Sequence, residues 1–508
     1  MNHEALIAEN THLKAENIQL RSATQALTEQ LLNIQDQLSK IQRLVFGQSR
    51  ERFISCESTD QLNLFSQLST DQGEGSASKA QSITEKISYE RKKLDKTAHQ
   101  GRQLLSKCGH LAIETELIEP VADTSGMTKM GEQIRDKLAY KPGRLYIRRY
   151  IFPKYVDKKS DKIIMAEGIS EPLPRCEADI SLIVYLIISK YVDHLPEYRL
   201  IEIFKREGVQ IASSTINDWV HGAGRLIELL NEAMNKELLS TGYVQADETT
   251  LKVLDGTKKG KSHLGYMWTY YNPEKKVVVF DYQKGRGREG PAAKLSQYQG
   301  YLQTDGYEVY DQIVKINPKI KHVGCMAHGR RYFEQALSND KERAEYVLSR
   351  IQFLYDIEQY LREENATEYR RVEERKVATI ILKEIKEYID KAIYEVAPKS
   401  LIGKAIAYMS KRWDKLTIYT TNGRLEIDNN LIENKIRPVA LGRKNYLFAG
   451  SHDAAKRMAS IYSLMGTCKA NNINPFNYLA WLLSRIADTK TSQLHTITPM
   501  AYKLIKQI

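Results

Sequence analysis

The sequence predicts an α/β protein: a mixed sheet-and-helix core with a helical insertion, preceded by an N-terminal coiled coil and a small α+β region. Three observations predict it. Apolar residues recur every seven positions before residue 50, β-rich runs with turn residues between them begin at residue 242, and charged helical sequence fills 328–415. At 508 residues the chain exceeds what one hydrophobic core organises, so about two to four domains are expected.

Leu6, Leu13, Leu20, Leu27, Ile34 and Ile41 form the repeat, with Asn10, Asn17, Thr24, Leu31, Leu38 and Val45 as companions. Seven-residue spacing keeps one seam facing a partner helix, and Asn in the seam fixes register. Residues 1–50 therefore read as a dimerising leucine zipper, with a single amphipathic helix packed on its own chain as the alternative. Residues 51–98 are rich in Ser, Gln and Thr, like a flexible linker, and end in basic Arg91, Lys92, Lys93 and Lys96.

Residues 99–175 open with Arg102, a candidate DNA contact, and include KPGRLYIRRYIFPKY, in which apolar alternation predicts strands. Arg144, Arg148, Arg149 and Lys154 interleave with aromatics there, a composition suited to DNA phosphate and base contact; a solvated basic strand face is the alternative. Residues 176–240 read as helical. LPEYRLIEIFKREGVQIASSTINDWV has helix-turn-helix spacing, with a turn at Gly208 and an N-cap at Ser213 or Ser214. Such a pair reads DNA or serves as scaffold.

From residue 241 to 453 the pattern is a core. GYVQADETTLKVLDG, HLGYMWTYYN and KKVVVFDYQ predict a strand meander, followed by a helix near 289–298 and strands at YLQTD and HVGCMAH. The insertion spans about 336–420. A helix opens after Asp428 and is interrupted near Pro438, and residues 454–508 form a last helical region.

Charge and composition narrow the function. Lys and Arg number 75 against 63 Asp and Glu, a net charge of +12, which favours a polyanionic partner such as nucleic acid. The first residues lack a signal-peptide pattern and LIVYLII (182–188) is too short to span a bilayer, so no membrane association and a cytoplasmic location are expected. Cys56, Cys108, Cys176, Cys325 and Cys468 form no C-x-x-C pair, so neither a cysteine-rich zinc site nor a disulfide framework is signalled.

Three acids sit where the pattern makes them odd. Asp247 interrupts the first strand of the meander, Asp305 ends YLQTD, and Glu433 lies in the helix after Asp428. Two strand-borne carboxylates and one on a helix can converge to hold two Mg²⁺ ions, hard cations that prefer oxygen, which clamp both oxygens of an in-line phosphoryl displacement. Each has a plainer reading. Asp247 can be a solvated strand residue, Asp305 can start an Asp-Gly turn, and Glu433 can pair with Arg437 one turn on. Asp255, Asp281, Asp311 and Asp428 are rival carboxylates.

The motifs FGQSRERF, YERKK…HQGR, SKYVDHLPEYR, ADET, TDGY and IDNNLIENKIRPVALGRKNYLFAGS cover almost the whole chain. In them the sequence resembles the large transposase of the insertion-sequence-66 family. The resemblance implies a ribonuclease-H-like core with an Asp/Asp/Glu triad, and Asp247, Asp305 and Glu433 match its catalytic, metal-binding positions. It also implies two Mg²⁺ ions, with Mn²⁺ able to substitute. Double-stranded DNA, both element ends and target, is the implied substrate, cut by water and then joined through the exposed 3′-hydroxyls. A homodimer or higher oligomer and small accessory transposition proteins are implied partners. Arg437, Arg443 and Lys444 are candidate phosphate contacts, with Arg443 and Lys444 placed by a sharp turn at Gly442; a solvated basic helix end is the alternative. His328, in Cys325-Met-Ala-His328, is a candidate residue lining the active site beside the DNA, with orienting a helix as the alternative. The sequence departs from the family in 99–175, where only Cys108 and the nearby His110 remain of a zinc-binding segment, too few for a structural zinc. A nuclease that shares the triad, or a zipper-dimerised DNA-binding regulator without catalysis, are the alternative functions.

Overall fold

A computed structural model describes residues 108–506, apart from 110, 121–127, 142, 158–161, 167, 170 and 255–260. The zipper, the linker, the basic patch, Arg102, His110 and Asp255 therefore lie outside the described residues.

The first sheet contains β1 (Ile113–Leu117), β2 (Thr128–Lys141), β3 (Arg144–Asp157) and β4 (Lys162–Met165). β3 is central, antiparallel to β2 and β4 and parallel to β1. Gly143, at φ +92°, makes the β2–β3 turn, a conformation that a Cβ disfavours. This region was expected to mix helix and strand; its described residues form strands and turns only. Leu138, Leu145 and Ile147 bury their side chains in the same core as the helices that follow.

Those helices are α1 (Ile180–Tyr191), α2 (Glu197–Arg206), α3 (Ser213–Glu228) and α4 (Asn231–Leu238). Asp179 caps α1 by accepting from the Ser181 amide at 2.9 Å. The α2–α3 turn uses Gly208 at φ +81°, as the sequence predicts. The expected serine cap of α3 is not formed: Ala212 is the cap residue and Ser213 is already helical.

The second sheet holds β5 (Tyr243–Leu254), β6 (Ser262–Asn272), β7 (Val277–Gln283), β8 (Gly300–Gln303) and β9 (Ile320–Val323), in the order β7-β6-β5-β8-β9. The first three strands are antiparallel, as tight connections allow, and β8 and β9 run parallel to β5. Parallel neighbours need crossovers, which α5 (Glu289–Lys294) and α6 (Glu308–Ile316) supply. α5 is shorter than expected because Leu295 and Tyr298 leave the helix to enter the core.

Beyond β9 lie α7 (Met326–Ala336), α8 (Lys341–Glu363), α9 (Glu368–Ala392) and α10 (Leu401–Thr417), built around their own hydrophobic core. α11 (Asn430–Tyr446) then returns to the face of the second sheet, followed by α12 (His452–Ala470), α13 (Pro475–Leu483) and α14 (Pro499–Lys506). α11 runs unbroken through Pro438, against expectation. The carbonyl that loses its partner belongs to exposed Asn434, which faces solvent, while buried Ile436 and Val439 hold the helix down. Gly442 is likewise inside the helix and makes no turn. A Cβ there would stand 2.6 Å from the Tyr462 hydroxyl, so its role is close packing.

α12 closes the open edge of β7. Ser463 Oγ accepts from the Phe280 amide (2.8 Å), Thr467 Oγ1 accepts from the Val278 amide (2.9 Å), and Asn471 Nδ2 donates to the Lys276 carbonyl (3.0 Å). Spaced four apart on one helical face, these side chains satisfy the edge groups that a further strand would otherwise bond.

Candidate active site

Gln245 on β5 pairs in register with Gln303 on β8. Asp247 and Asp305 each lie two residues further along, so both acids leave the same end of adjoining parallel strands. Side chains alternate along a strand, which puts Asp247 on the Gln245 face. That face receives α11: Gln245 Oε1 accepts from the Ile432 amide at 3.2 Å, and its Nε2 donates to the Asp428 carbonyl at 3.3 Å. Glu433 follows Ile432 in the first turn of α11. One buried glutamine thus ties together the segments that carry all three acids.

Local contacts fix each acid further. Asp305 Oδ1 accepts from the Tyr307 amide at 2.9 Å, an Asx turn. α10 holds that turn from outside, with the Tyr408 hydroxyl donating to the Asp305 carbonyl (2.8 Å) and Arg412 to the Gly306 carbonyl (2.9 Å). Gly306 has φ +94°, and a Cβ would meet Arg412 Nε at 2.5 Å. His328 on α7 brings Nε2 to 4.0 Å from Glu433 Oε1. The rival carboxylates among the described residues are otherwise engaged. Asp311 pairs with His322 and Lys415, Asp428 accepts from the Tyr355 hydroxyl at 2.8 Å, and Asp281 accepts from Gln283.

Electrostatics join the acids. Asp247, Asp305 and Glu433 are all half-buried. Burial, followed by the neighbouring charges of Asp305, Glu248 and Glu433, pushes the Asp247 carboxyl well above the usual range. Glu248, pointing to the opposite face, is also raised by burial, but Arg286 and the Tyr310 hydroxyl (3.0 Å) compensate it. Asp247 has no such cation among its influences. Among the described residues, no group of three or more His, Cys, Asp or Glu side chains is already gathered closely enough to hold a metal ion.

The basic candidates divide. Arg437 and Lys444 are exposed on α11. Arg443 instead reaches β5, donating to Thr249 Oγ1 (2.9 Å), the Thr250 carbonyl (2.6 Å) and Thr250 Oγ1 (2.9 Å). In the first sheet Arg149 makes a two-pronged pair with Asp136 at 2.8 and 3.1 Å, and Arg148 pairs with Asp179 at 3.2 Å. Sequence reasoning missed Gln245, Gln303, Glu248 and Arg286. Only Arg286 had a visible signal, the basic glycine-rich run KGRGREG at 284–290.

No helix among the described residues is long and apolar enough to cross a membrane. Comparison with known proteins finds relatives along nearly the full chain. The uncharacterized protein y4qI of Sinorhizobium fredii is 28% identical over 96% of this chain and 92% of its own length. The uncharacterized protein y4jD of the same organism is 25% identical over 96% of this chain and 97% of its own. The IS66 C-terminal element matches residues 463–500, beginning at the serine that caps β7. The family described as Transposase IS66 family matches residues 175–457, which hold both the glutamine pair and the three acids, and the chain belongs to that family.

Proposed function

We propose that the chain is a metal-dependent transposase of the Asp/Asp/Glu type that cuts DNA at element ends and joins them to target DNA. The observation that carries this reading is geometric: Asp247 and Asp305 each lie two residues beyond the paired Gln245 and Gln303, and Gln245 holds the first turn of α11, which carries Glu433. The strand order, three antiparallel followed by two parallel, supports a ribonuclease-H-like core.

Asp247, Asp305 and Glu433 would hold two Mg²⁺ ions, or Mn²⁺ in their place. The donor set fits, since half-buried carboxylates that repel one another gain from a divalent cation and offer it only hard oxygen ligands. When bound, the metals would lower the nucleophile's pKa and stabilise charge on the attacking and leaving oxygens. His328 would orient the Glu433 carboxylate, and exposed Arg437 and Lys444 would steady DNA phosphates along α11. In cleavage, a water oxygen bonds to phosphorus as the P–O3′ bond breaks, leaving a 3′-hydroxyl and a 5′-phosphate. That 3′-oxygen then bonds to a target phosphorus and displaces a target 3′-hydroxyl. One phosphodiester replaces another, so joining needs no energy-carrying cofactor. The N-terminal zipper would pair two protomers, and with them two element ends.

The test uses the inverted repeats found by sequencing DNA that flanks the gene. A pre-cut duplex bearing one repeat, a supercoiled plasmid and Mg²⁺ should give joined product. Asp247→Ala, Asp305→Ala and Glu433→Ala should each lower joining by roughly 10³-fold while leaving DNA binding intact. Near-normal joining by Asp305→Ala overturns the triad; cleavage without joining by the unaltered protein makes it a nuclease.

A further inference from the structure

At the far end of α11 from Glu433, α1, α2 and α3 and the loop after α11 enclose a cleft of about 470 Å³. That volume falls in the range of about 300–1,000 Å³ typical of small-ligand sites. Arg457 of α12 lines it. The stem of Arg457 packs on Gly224, where a Cβ would meet its Cδ at 3.2 Å, and its Nε is buried without a hydrogen-bond partner. The one carboxylate among the lining residues, Glu197, is taken by Lys190 at 2.5 Å. His221 on the same wall is held below its ordinary pKa by burial and by the Arg457 and Lys190 charges. Glu228 lies close enough behind the wall for its carboxyl to feel the Arg457 charge, but it does not line the cleft, so the guanidinium is the positive charge the cleft presents.

Its rim is aromatic. Tyr198 is 61% exposed and Phe448 is 43% exposed. Phe448 follows Leu447, a non-glycine residue at φ +64°, a conformation that costs about 1–3 kcal/mol and recurs at ligand clamps. Ala449 pins this loop to β5 through the Lys252 carbonyl (2.8 Å) and the Leu254 amide (2.9 Å). The ring is thus presented by a braced loop and not by a loose one.

We propose that this cleft takes one unstacked nucleotide of a DNA strand, its phosphate on Arg457 and its base against Tyr198 and Phe448. A lone cation would serve any anion, but a cation set behind two exposed rings matches the phosphate and the π-face of a nucleotide. A base-paired duplex is too wide to enter, so the base must leave its stack. The inference rests on the reading of the chain as a DNA-processing enzyme. It adds a place on the path of the strand: Tyr446 is thirteen residues beyond Glu433 on one helix, about 20 Å away. At 3.4 Å per nucleotide that is about six nucleotides from the phosphate at the acids.

The test is fluorescence anisotropy with the full chain and a labelled mixed-sequence 12-nucleotide single strand, beside the same sequence as a blunt duplex. Tyr198→Ala and Phe448→Ala should each weaken single-strand binding about tenfold and change duplex binding less than twofold. Arg457→Gln should weaken single-strand binding similarly and flatten its salt slope by about one. Unchanged single-strand affinity in Tyr198→Ala overturns the proposal, and so does an equal loss for strand and duplex, which would mark a general DNA-binding face. If Arg457→Gln fails to fold, the two exposed aromatic positions still decide. Asp247→Ala, run alongside, should bind the single strand like the unaltered protein. Loss of joining with an intact cleft, or the reverse, then separates failure of the triad from failure of this site.

Discussion

Gln245 Nε2 donates to Gln303 Oε1 at 3.0 Å, and neither residue exposes any surface. Gln303 carries the network onward to the Gly324 and Glu426 carbonyls at 3.1 and 2.8 Å. The pair thereby aligns two acid-bearing strands with the segment that launches α11. Replacing Gln245 with Leu leaves the Ile432 amide and the Asp428 carbonyl without this partner, at about 1–3 kcal/mol for each group left unsatisfied. The expected result is a lowered melting temperature together with joining activity reduced at least tenfold, measured where the variant is still fully folded. Gln245→Glu should not recover the stability, because it keeps the acceptor for Ile432 but buries an unpaired carboxylate against the Gln303 Oε1 and Asp428 carbonyl oxygens. Full activity in folded Gln245→Leu would show that the acids are placed without the pair.

Asp247 gives a pH dependence whose sign is set by its raised pKa. The folded protein binds this proton more tightly than the unfolded chain, whose Asp titrates near about 3.9. The associated stability is present below that value and is lost as pH rises through the higher folded value. Asp247→Asn should therefore melt above the unaltered protein at pH 8, with the gap closing toward pH 4. Mg²⁺ should raise the melting temperature of the unaltered protein more at pH 8 than at pH 5.5, and that of Asp247→Asn little at either. A variant that melts at or below the unaltered protein throughout would mean that Asp247 carries no such repulsion.

Much of this was legible in the sequence where local pattern decides. Period-two apolar runs marked β5, β6 and β7, Gly208 marked the α2–α3 turn, and an aspartate inside a strand marked Asp247 as unusual. What escaped depends on partners distant in the chain. Gln245 looks like a solvated strand residue until α11 folds over it, and the bonds of Arg443 to Thr249 and Thr250 appear only once β5 is beside it. Pro438 signals a helix break by local rule, but burial of its neighbours overrides that rule.

The basic residues of α11 should separate by measurement. Arg443 directs Nη1 to Thr249 and Thr250, whereas Arg437 and Lys444 face solvent. Replacing Arg437 and Lys444 together with Ala should weaken DNA binding without regard to sequence and flatten the salt slope by about one per lost phosphate contact. Arg443→Ala should instead lower thermal stability by about 1–3 kcal/mol with the slope unchanged. A flattened slope in Arg443→Ala alone would return that residue to the DNA.

Arg375 makes the strongest claim on the helical insertion. It is fully buried, and all five of its N–H groups have acceptors: two reach Glu358, at 2.7 Å each, and three reach the carbonyls of Tyr419, Asn422 and Leu425 at 2.8–2.9 Å. Glu358 is on α8 and Arg375 on α9, while the three carbonyls belong to the segment that leads into α11. The pair therefore clamps the approach to Glu433 onto the insertion. Arg375→Met leaves Glu358 buried without its partner, a loss of about 3–5 kcal/mol. A double change, Arg375→Met with Glu358→Leu, removes the stranded charge and should regain much of the stability. It cannot restore the three carbonyl contacts, so joining should stay low in a protein that folds well, while binding of duplex DNA stays near normal. If the double variant recovers joining along with stability, the clamp serves folding alone and the position of Glu433 is set elsewhere.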